Sequence, residues 1–321
     1  MNEKAKAPSL TGASHDFSRA LAVDARVASA WPSLAHRFRL KALHIYSWHV
    51  EDMLANPDRH WRTVAAGEKR GRAPSGDLLI IHRRLKQYLD QRSYRLVSTW
   101  AKAWRKGGSI IANVRPHLAN ESRSLLRLDV ASAYETVRTK HVQRYLTKLE
   151  RKREIGEVSR VFAPDEAWII ARLVTYNGKL RRGSPLAPLL FNMLWARMDH
   201  LLAMIARAYP GVVYTRYADD LCFSSREEFF PREVEEHIRA ALRLYSVRLK
   251  HAKTRHDSRG NMQFPGVMVI EGRMLPLREY IERTAAIPAM THAVRQGHMN
   301  FLNMFGMSGT NLPKGLRHLY W

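Results

Sequence analysis

Apolar residues recur at helical spacing through the first sixty positions: Phe17, Leu21 and Ala25 fall four apart, and Leu40, Leu43, Ile45 and Trp48 follow. The small and polar residues before them predict a loose arm over 1–16. "AAGEKRGRAPSGD" (65–77), punctuated by Gly and Pro, predicts a basic loop. "LLIIHRRLKQYLDQ" then predicts a helix with Arg83, Arg84 and Lys86 on its polar side, and "GGSIIANVRPH" (107–117) reads as a turn, a short apolar run and a second loop. Residues 124–130 predict a strand, and "AYETVRTKHVQRYLTKLERKR" continues as a helix. "PDEAWIIARLVTY" (164–176) opens on the helix-start signals Pro164 and Asp165. "RRGSPLAP" (181–188) reads as a loop feeding a long amphipathic helix over 188–209. Val212, Val213, Tyr214 and Tyr217 predict one strand, and Leu221, Cys222 and Phe223 its hairpin partner. A helix over 231–247, a strand over 262–272 and two or three short C-terminal helices complete the pattern. This order implies an α+β fold, a small antiparallel sheet with helices packed on one face.

Charge adds what the pattern lacks. Among 321 residues, 45% of them apolar, 53 Lys and Arg face 29 acids, a formal net charge of +24. So large an excess repels itself unless a polyanion shares it, which points first to nucleic acid and second to an anionic membrane surface. No basic amphipathic helix of membrane type stands out, no run of about 18 apolar residues predicts a transmembrane helix, and the N-terminus lacks the apolar core of a signal peptide. The single cysteine, Cys222, excludes an internal disulfide and an all-cysteine zinc site. A cytoplasmic protein without a membrane partner is expected.

In this basic chain, Asp219 and Asp220 stand together at the tip of an apolar hairpin. Neighbouring carboxylates resist joint ionisation unless a cation lies between them. A third acid, Asp129, ends the strand "LLRLDV", and pairing of that strand beside the hairpin would aim Asp129 and Asp219 at one point. Carboxylates, waters and substrate phosphates make a Mg²⁺ environment, and two such ions roughly 3.5–4 Å apart activate a 3′-hydroxyl and stabilise departing pyrophosphate. The plainer alternative is a solvated turn.

"LDVASAYETV", "RRGSPLAPLLFN", "YADDLCFSS" and "KHAKT" occur in this order, and each resembles a characteristic block of reverse transcriptases. The resemblance covers roughly residues 65 to 290. "NVRPH" (113–117) is similar to the Asn-Ala-any-any-His element of bacterial retron reverse transcriptases, and "FPG" (264–266) sits where those usually show Val-Thr-Gly. The resemblance implies a right-hand polymerase fold, with fingers and palm over 17–245 and the palm end and thumb over 246–321. It implies that Asp129 and Asp219 ligate two Mg²⁺ ions (or Mn²⁺), with Asp220 supporting the site. Tyr134 would lie beneath the incoming sugar and select dNTPs, Gly183 and Ser184 would form a flexible turn, and Lys253 would protonate pyrophosphate or touch phosphate backbone. Arg72, with Lys69 and Arg70 nearby, would grip triphosphate oxygens. Arg182 stands where the family generally has Gln; it can only donate hydrogen bonds, which suggests a phosphate grip or altered template use. Asn113 and His117 would contact a structured RNA, or else be a turn and a surface histidine.

The other histidines read as solvent- or phosphate-facing, and Trp100, Trp104, Tyr245 and Trp321 as core packing ahead of base stacking. Basic helices, especially 138–153 with seven Lys or Arg against one Glu, would track an RNA–DNA duplex by backbone charge. The expectation is RNA-templated DNA synthesis on a dedicated noncoding RNA in a retron-like anti-phage system, with a separate effector protein and no maturase, endonuclease or integrase domain. Two alternatives stand beside it: a non-retron defence reverse transcriptase with protein-primed or template-independent synthesis, and a catalytically idle RNA-binding scaffold.

Overall fold

The computed structural model describes residues 13–66, 69–91, 96–152, 158–285 and 291–307. In chain order come α1 (Ala13–Arg37), α2 (Ser47–Ala55), α3 (Pro57–His60), β1 (Trp61–Ala66), β2 (Lys69–Pro74) and α4 (Gly76–Asp90). Next are α5 (Ile110–Ala119), β3 (Ser124–Asp129), α6 (Ala133–Thr136), α7 (Thr139–Thr147), β4 (Glu150–Lys152), β5 (Val158–Arg160) and α8 (Pro164–Leu173). The remainder holds α9 (Ala187–Arg207), β6 (Val212–Tyr217), β7 (Asp220–Ser225), α10 (Arg232–Leu244) and β8 (Arg255–Asp257). Last come β9 (Asn261–Phe264), β10 (Val267–Ile270), β11 (Arg273–Pro276), α11 (Arg278–Ala285) and α12 (His292–Asn303). Helices mixed with small antiparallel sheets bear out the α+β expectation. The chain divides into two compact units, Met1–Ser93 with Tyr134–Leu194, and Tyr94–Ala133 with Trp195–Trp321.

In the first unit, α1 packs on α2 and α8, and α7 on α8. Helix α4 buries Leu78, Ile81, Leu85 and Leu89, an apolar stripe at helical spacing. Phe38 meets Tyr88 edge-on at 5.5 Å between ring centroids. The predicted basic loop at 65–77 is instead the β1–β2 hairpin, with Trp61 paired to Pro74 and Thr63 to Arg72. Its strand character hides in composition: Gly71 and Ala73 are buried, while Arg72 between them is half-buried and Arg70 before them is exposed. The predicted continuous helix over 138–153 also breaks. Helix α7 stops at Thr147 and residues 150–152 pair with β5, which suits a run of cations that mutual repulsion disfavours on one helix.

In the second unit a four-stranded antiparallel sheet runs in the order β6-β7-β3-β8. A three-stranded meander, β11-β10-β9, replaces the single strand expected over 262–272. Pro265 and Gly266 make its first turn; Gly266 has φ +78°, and a Cβ there would sit 3.1 Å from Ile110 Cδ1, so glycine is needed both for the backbone and for space. Meander, sheet and α5 share one core of Ile111, Val114, Leu125, Cys222, Met262, Phe264, Val267 and Val269. The segment 107–117 is thus largely helix α5 and not a loop. Ser109 caps it by accepting a hydrogen bond from Ala112 N at 2.9 Å, and Pro116 lies late enough to remove only one ladder bond. Helix α9 is long and apolar enough for a membrane span by length and hydropathy, yet 61% of that window is buried inside the protein. Trp104 and Tyr245, expected in the core, are 47% and 59% exposed. Trp321 lies outside the described residues.

Candidate active site

The β6–β7 hairpin turns on two residues, Ala218 and Asp219. Ala218 has φ +58°, at the first turn position, where two-residue hairpins of this kind usually place glycine. Strand β7 pairs with β3 so that Asp220 stands directly opposite Asp129, and Val130 N donates to the Asp219 carbonyl at 3.0 Å. Three acids far apart in sequence are therefore gathered at one end of the sheet. The register puts Asp220, rather than Asp219, across from Asp129. Asp129 is buried; Asp219 and Asp220 are half-buried. Burial pushes the Asp220 carboxyl up to about 6; Asp219 and Asp129 add to the rise, while Arg127, 3.7 Å away, opposes it.

Two ammonium groups face Asp129. Lys253, at the end of a one-turn helix, lies 3.7 Å from Oδ2, and Lys250 donates to Oδ1. Lys250 also donates its backbone N–H to the Asp129 carbonyl at 2.9 Å. Among the described residues no group of three or more His, Cys, Asp and Glu side chains is arranged to hold a metal ion. The donor set of Asp129, Asp219 and Asp220 is nevertheless all oxygen and suits a hard divalent cation; Lys250 supplies the positive charge at Asp129.

The other predicted residues of the nucleotide site belong to the first unit. Gly183 has φ +106°, and a Cβ there would lie 2.9 Å from the Arg72 carbonyl oxygen. Arg72 N in turn donates to the Arg182 carbonyl at 2.8 Å, so the turn is pinned to β2 by backbone contact. The Arg72 guanidinium stacks over Tyr176 at 4.9 Å, while the Arg182 side chain is exposed. Ser184 is buried. His82 Nε2 donates to the Leu173 carbonyl at 3.0 Å, which leaves Nδ1 to accept the Ser184 hydroxyl at 2.9 Å. Burial lowers the His82 pKa to about 4, so this histidine is neutral and neither solvent- nor phosphate-facing. Tyr134 is half-buried, its ring 5.5 Å from Phe191.

Asn113 and His117, one helical turn apart on α5, are both fully buried. This corrects the expected RNA contact. His117 Nε2 donates to Thr215 Oγ1 at 2.7 Å, because the Thr215 hydroxyl proton goes to the Asn113 carbonyl, and Nδ1 accepts from Ser224 at 2.6 Å. Asn113 Nδ2 donates to Cys222 Sγ at 3.8 Å. Burial lowers the His117 pKa to about 3. The pair ties α5 to the hairpin strands, and Asn113 Oδ1 is buried without a hydrogen-bond partner among the described residues.

Sequence reasoning missed Lys250, His82 and a buried ion pair, Asp199 with Arg216. The pair had a signal. Arg216 shares the inward parity of Val212 and Tyr214, and Asp199 falls on the apolar face of α9 with Trp195, Met198 and Leu202. Opposite charges at core positions of neighbouring elements predict each other.

The family model described as reverse transcriptase (RNA-dependent DNA polymerase) matches residues 65–269. Retron Mx65 reverse transcriptase of Myxococcus xanthus is 28% identical over 221 residues, 64% of this chain and 50% of that protein. Retron Ec86 reverse transcriptase of Escherichia coli is 25% identical over 170 residues, 53% of this chain and 46% of that one. The chain thus spans about half the length of the curated relatives it matches. Among solved structures, a Candida albicans telomerase with a telomeric RNA fragment aligns at TM-score 0.44 and 10% identity, over 75% of this chain and 46% of that one. Apo telomerase of Candida tropicalis aligns at 0.46 and 10%, over 72% and 45%. Retron reverse transcriptases are thus among its curated relatives, and with a match that takes in both the strand carrying Asp129 and the hairpin carrying Asp219 and Asp220, the chain belongs to the reverse transcriptase family, which generally uses divalent metal ions.

Proposed function

We propose that this chain is an RNA-directed DNA polymerase that extends a primer with dNTPs on a dedicated structured RNA, as part of a retron-like defence system in the bacterial cytoplasm. The observation that carries the reading is the β3–β7 register, which sets Asp129 against Asp220 and draws Asp219 beside them through the Val130–Asp219 backbone bond. Asp129 and Asp219 would hold two Mg²⁺ ions, with Asp220 at their side and Mn²⁺ able to substitute. When bound, the ions supply the positive charge that activates the primer 3′-oxygen and stabilises the departing pyrophosphate.

The chain's own groups do the rest. Lys250 balances the charge of Asp129 and so lessens the repulsion among the three clustered carboxylates. Lys253, 65% exposed, is free to swing from Asp129 to a phosphate oxygen or to give up its proton to leaving pyrophosphate. Arg72 and Arg182 offer guanidinium groups for triphosphate or template phosphates. Tyr134 filters the sugar. The exposed cations Lys140 and Arg144 of α7, with Lys148 just after it, make a ridge for the RNA–DNA backbone. Fingers and palm would occupy 17–245, and the palm end and thumb 246–321. An effector protein would act with the complex.

One observation favours the idle-scaffold reading: the acid that should bind metal is already paired with Lys250. A single experiment separates the two. Purified protein, with its co-purifying nucleic acid sequenced, is assayed for dNTP incorporation beside Asp219→Asn. Metal-dependent synthesis of DNA complementary to one fixed RNA segment, lost in the variant, is the expected result. Equal background from both proteins with intact RNA binding would establish the scaffold.

A further inference from the structure

Arg216 is the largest fully buried side chain among the described residues. Guanidinium stays charged at any accessible pH, so its burial demands a complete set of partners. Asp199, fully buried on α9, supplies two: Nε donates to Oδ1 at 2.7 Å and Nη2 to Oδ2 at 2.8 Å. Tyr214 donates its hydroxyl to the same Oδ1 at 2.8 Å. The third arm of the fork points elsewhere, with Nη1 donating to the carbonyl of Ala218 at 2.9 Å. The Arg216 backbone is held as well, its N–H on the Trp100 carbonyl and its carbonyl under Lys102 N.

We infer that Asp199 and Arg216 are positioning residues: the buried pair clamps the Ala218 carbonyl, and so holds the hairpin turn in the conformation that presents Asp219 to a divalent cation. This inference rests on the reading of Asp219 as a metal-holding residue. Ala218 needs an external hold, because an L-residue at φ +58° sits in a conformation it rarely adopts and relaxes from unless the surroundings enforce it. A role in stability alone does not explain the arrangement. A buried ion pair is replaceable by apolar residues of similar volume without loss of stability, and the Ala218 contact adds nothing to the packing of α9 on β6. Charge balance suits the task too. Asp199 fully engages the positive charge of Arg216, so Arg216 steers the turn without competing with metal for Asp219, whereas Lys250 pairs directly with Asp129.

The test compares three full-length proteins with wild type: the double variant Asp199→Leu with Arg216→Met, the single variant Arg216→Lys, and Asp219→Asn. Each is followed by thermal unfolding, by Mn²⁺ binding in electron paramagnetic resonance, and by primer extension with kcat and KM for dNTP separated. The double variant should unfold within about 5 °C of wild type, bind Mn²⁺ roughly 10- to 100-fold more weakly, and lose kcat with KM for dNTP little changed. Arg216→Lys, which keeps the charge but not the three-armed fork, should fall between. A folded double variant with wild-type Mn²⁺ affinity and kcat overturns the clamp; if that variant fails to fold, wild-type Mn²⁺ affinity in Arg216→Lys overturns it instead. Unchanged Mn²⁺ binding in Asp219→Asn sinks the metal reading and not the clamp. In that case hydrogen exchange at the Val130 amide, which is bonded to the Asp219 carbonyl, decides: faster exchange in the double variant or in Arg216→Lys sustains the clamp, and unchanged exchange ends it.

Discussion

Asp220→Asn separates what the acid cluster costs the fold from what it does. Burial, reinforced by Asp219 and Asp129, raises the Asp220 pKa from 3.8 to about 6. A carboxyl raised in this way binds more protons folded than unfolded. It therefore weakens the fold progressively as pH climbs from ~4 through ~6, and by a constant amount above that. At ~1.4 kcal/mol for each tenfold change in proton affinity, the cost is about 3 kcal/mol above pH 7 and roughly 0.5 kcal/mol at pH 4. The side chain is 25% exposed, so solvent screening trims the first figure toward ~2 kcal/mol. Asn keeps the shape of the neutral acid and cannot ionise. In EDTA the variant should be more stable than wild type by ~2–3 kcal/mol at pH 7.5 and by under ~1 kcal/mol at pH 4. His82 and His117, held neutral in the fold with pKa values of about 4 and about 3, make both proteins lose stability as pH falls below ~6.5, and they cancel in the difference. Urea unfolding followed by tryptophan fluorescence from pH 4 to 8 gives the number directly. Saturating Mg²⁺ should stabilise wild type and the variant alike in direction, the variant by less, because Asp129 and Asp219 remain. A stability difference independent of pH, or a variant weaker than wild type at pH 7.5, refutes the reasoning.

Lys250→Met removes the ammonium that competes for Asp129 and should tighten Mn²⁺ binding ~3- to 10-fold; titration calorimetry showing weaker binding would give Lys250 a different role. Gly183→Ala forces a Cβ to within 2.9 Å of the Arg72 carbonyl at φ +106° and should cost roughly 2–4 kcal/mol, read as a fall in Tm. His117→Ala removes the imidazole's hydrogen bonds to Thr215 and Ser224 and opens a buried cavity, and should cost about 3 kcal/mol in urea unfolding, while RNA affinity in filter binding stays constant; lost RNA binding at unchanged stability would restore the direct-contact reading. Arg182→Gln alters an exposed side chain and should change template choice or product sequence without moving Mn²⁺ affinity; identical products and rates would remove Arg182 from template handling.

The sheet and its acids were legible because one rule carries both. The β-forming runs "VVYTRY" and "LCFSS" define two strands with three residues between them, Ala218, Asp219 and Asp220, and a hairpin that short leaves no freedom about where the two acids emerge. The segments that misled share another property: local composition and burial disagree. In 65–77 the inward positions are Gly71 and Ala73, too small to register as a hydrophobic pattern, so Arg and Lys dominate the reading. In 107–117 the apolar run is too short to read as a helix, although the orientation of Asn113 and His117 is set by spacing of four on α5 and by hydroxyl partners on β6 and β7 that no local window contains. The same blindness applied to function. Asn113 and His117 read as RNA contacts and His82 as solvent- or phosphate-facing, yet all three, like Asp199 and Arg216, are buried. A buried polar side chain finds its partners inside the protein: in the second unit these are on the elements that carry the acids, and in the first His82 finds Ser184 on the glycine turn. Much of the polar chemistry in each unit therefore serves geometry, and the groups less buried, Asp219, Asp220 and Lys253 in the second unit and Arg182 in the first, are the ones with chemistry to spare for a substrate.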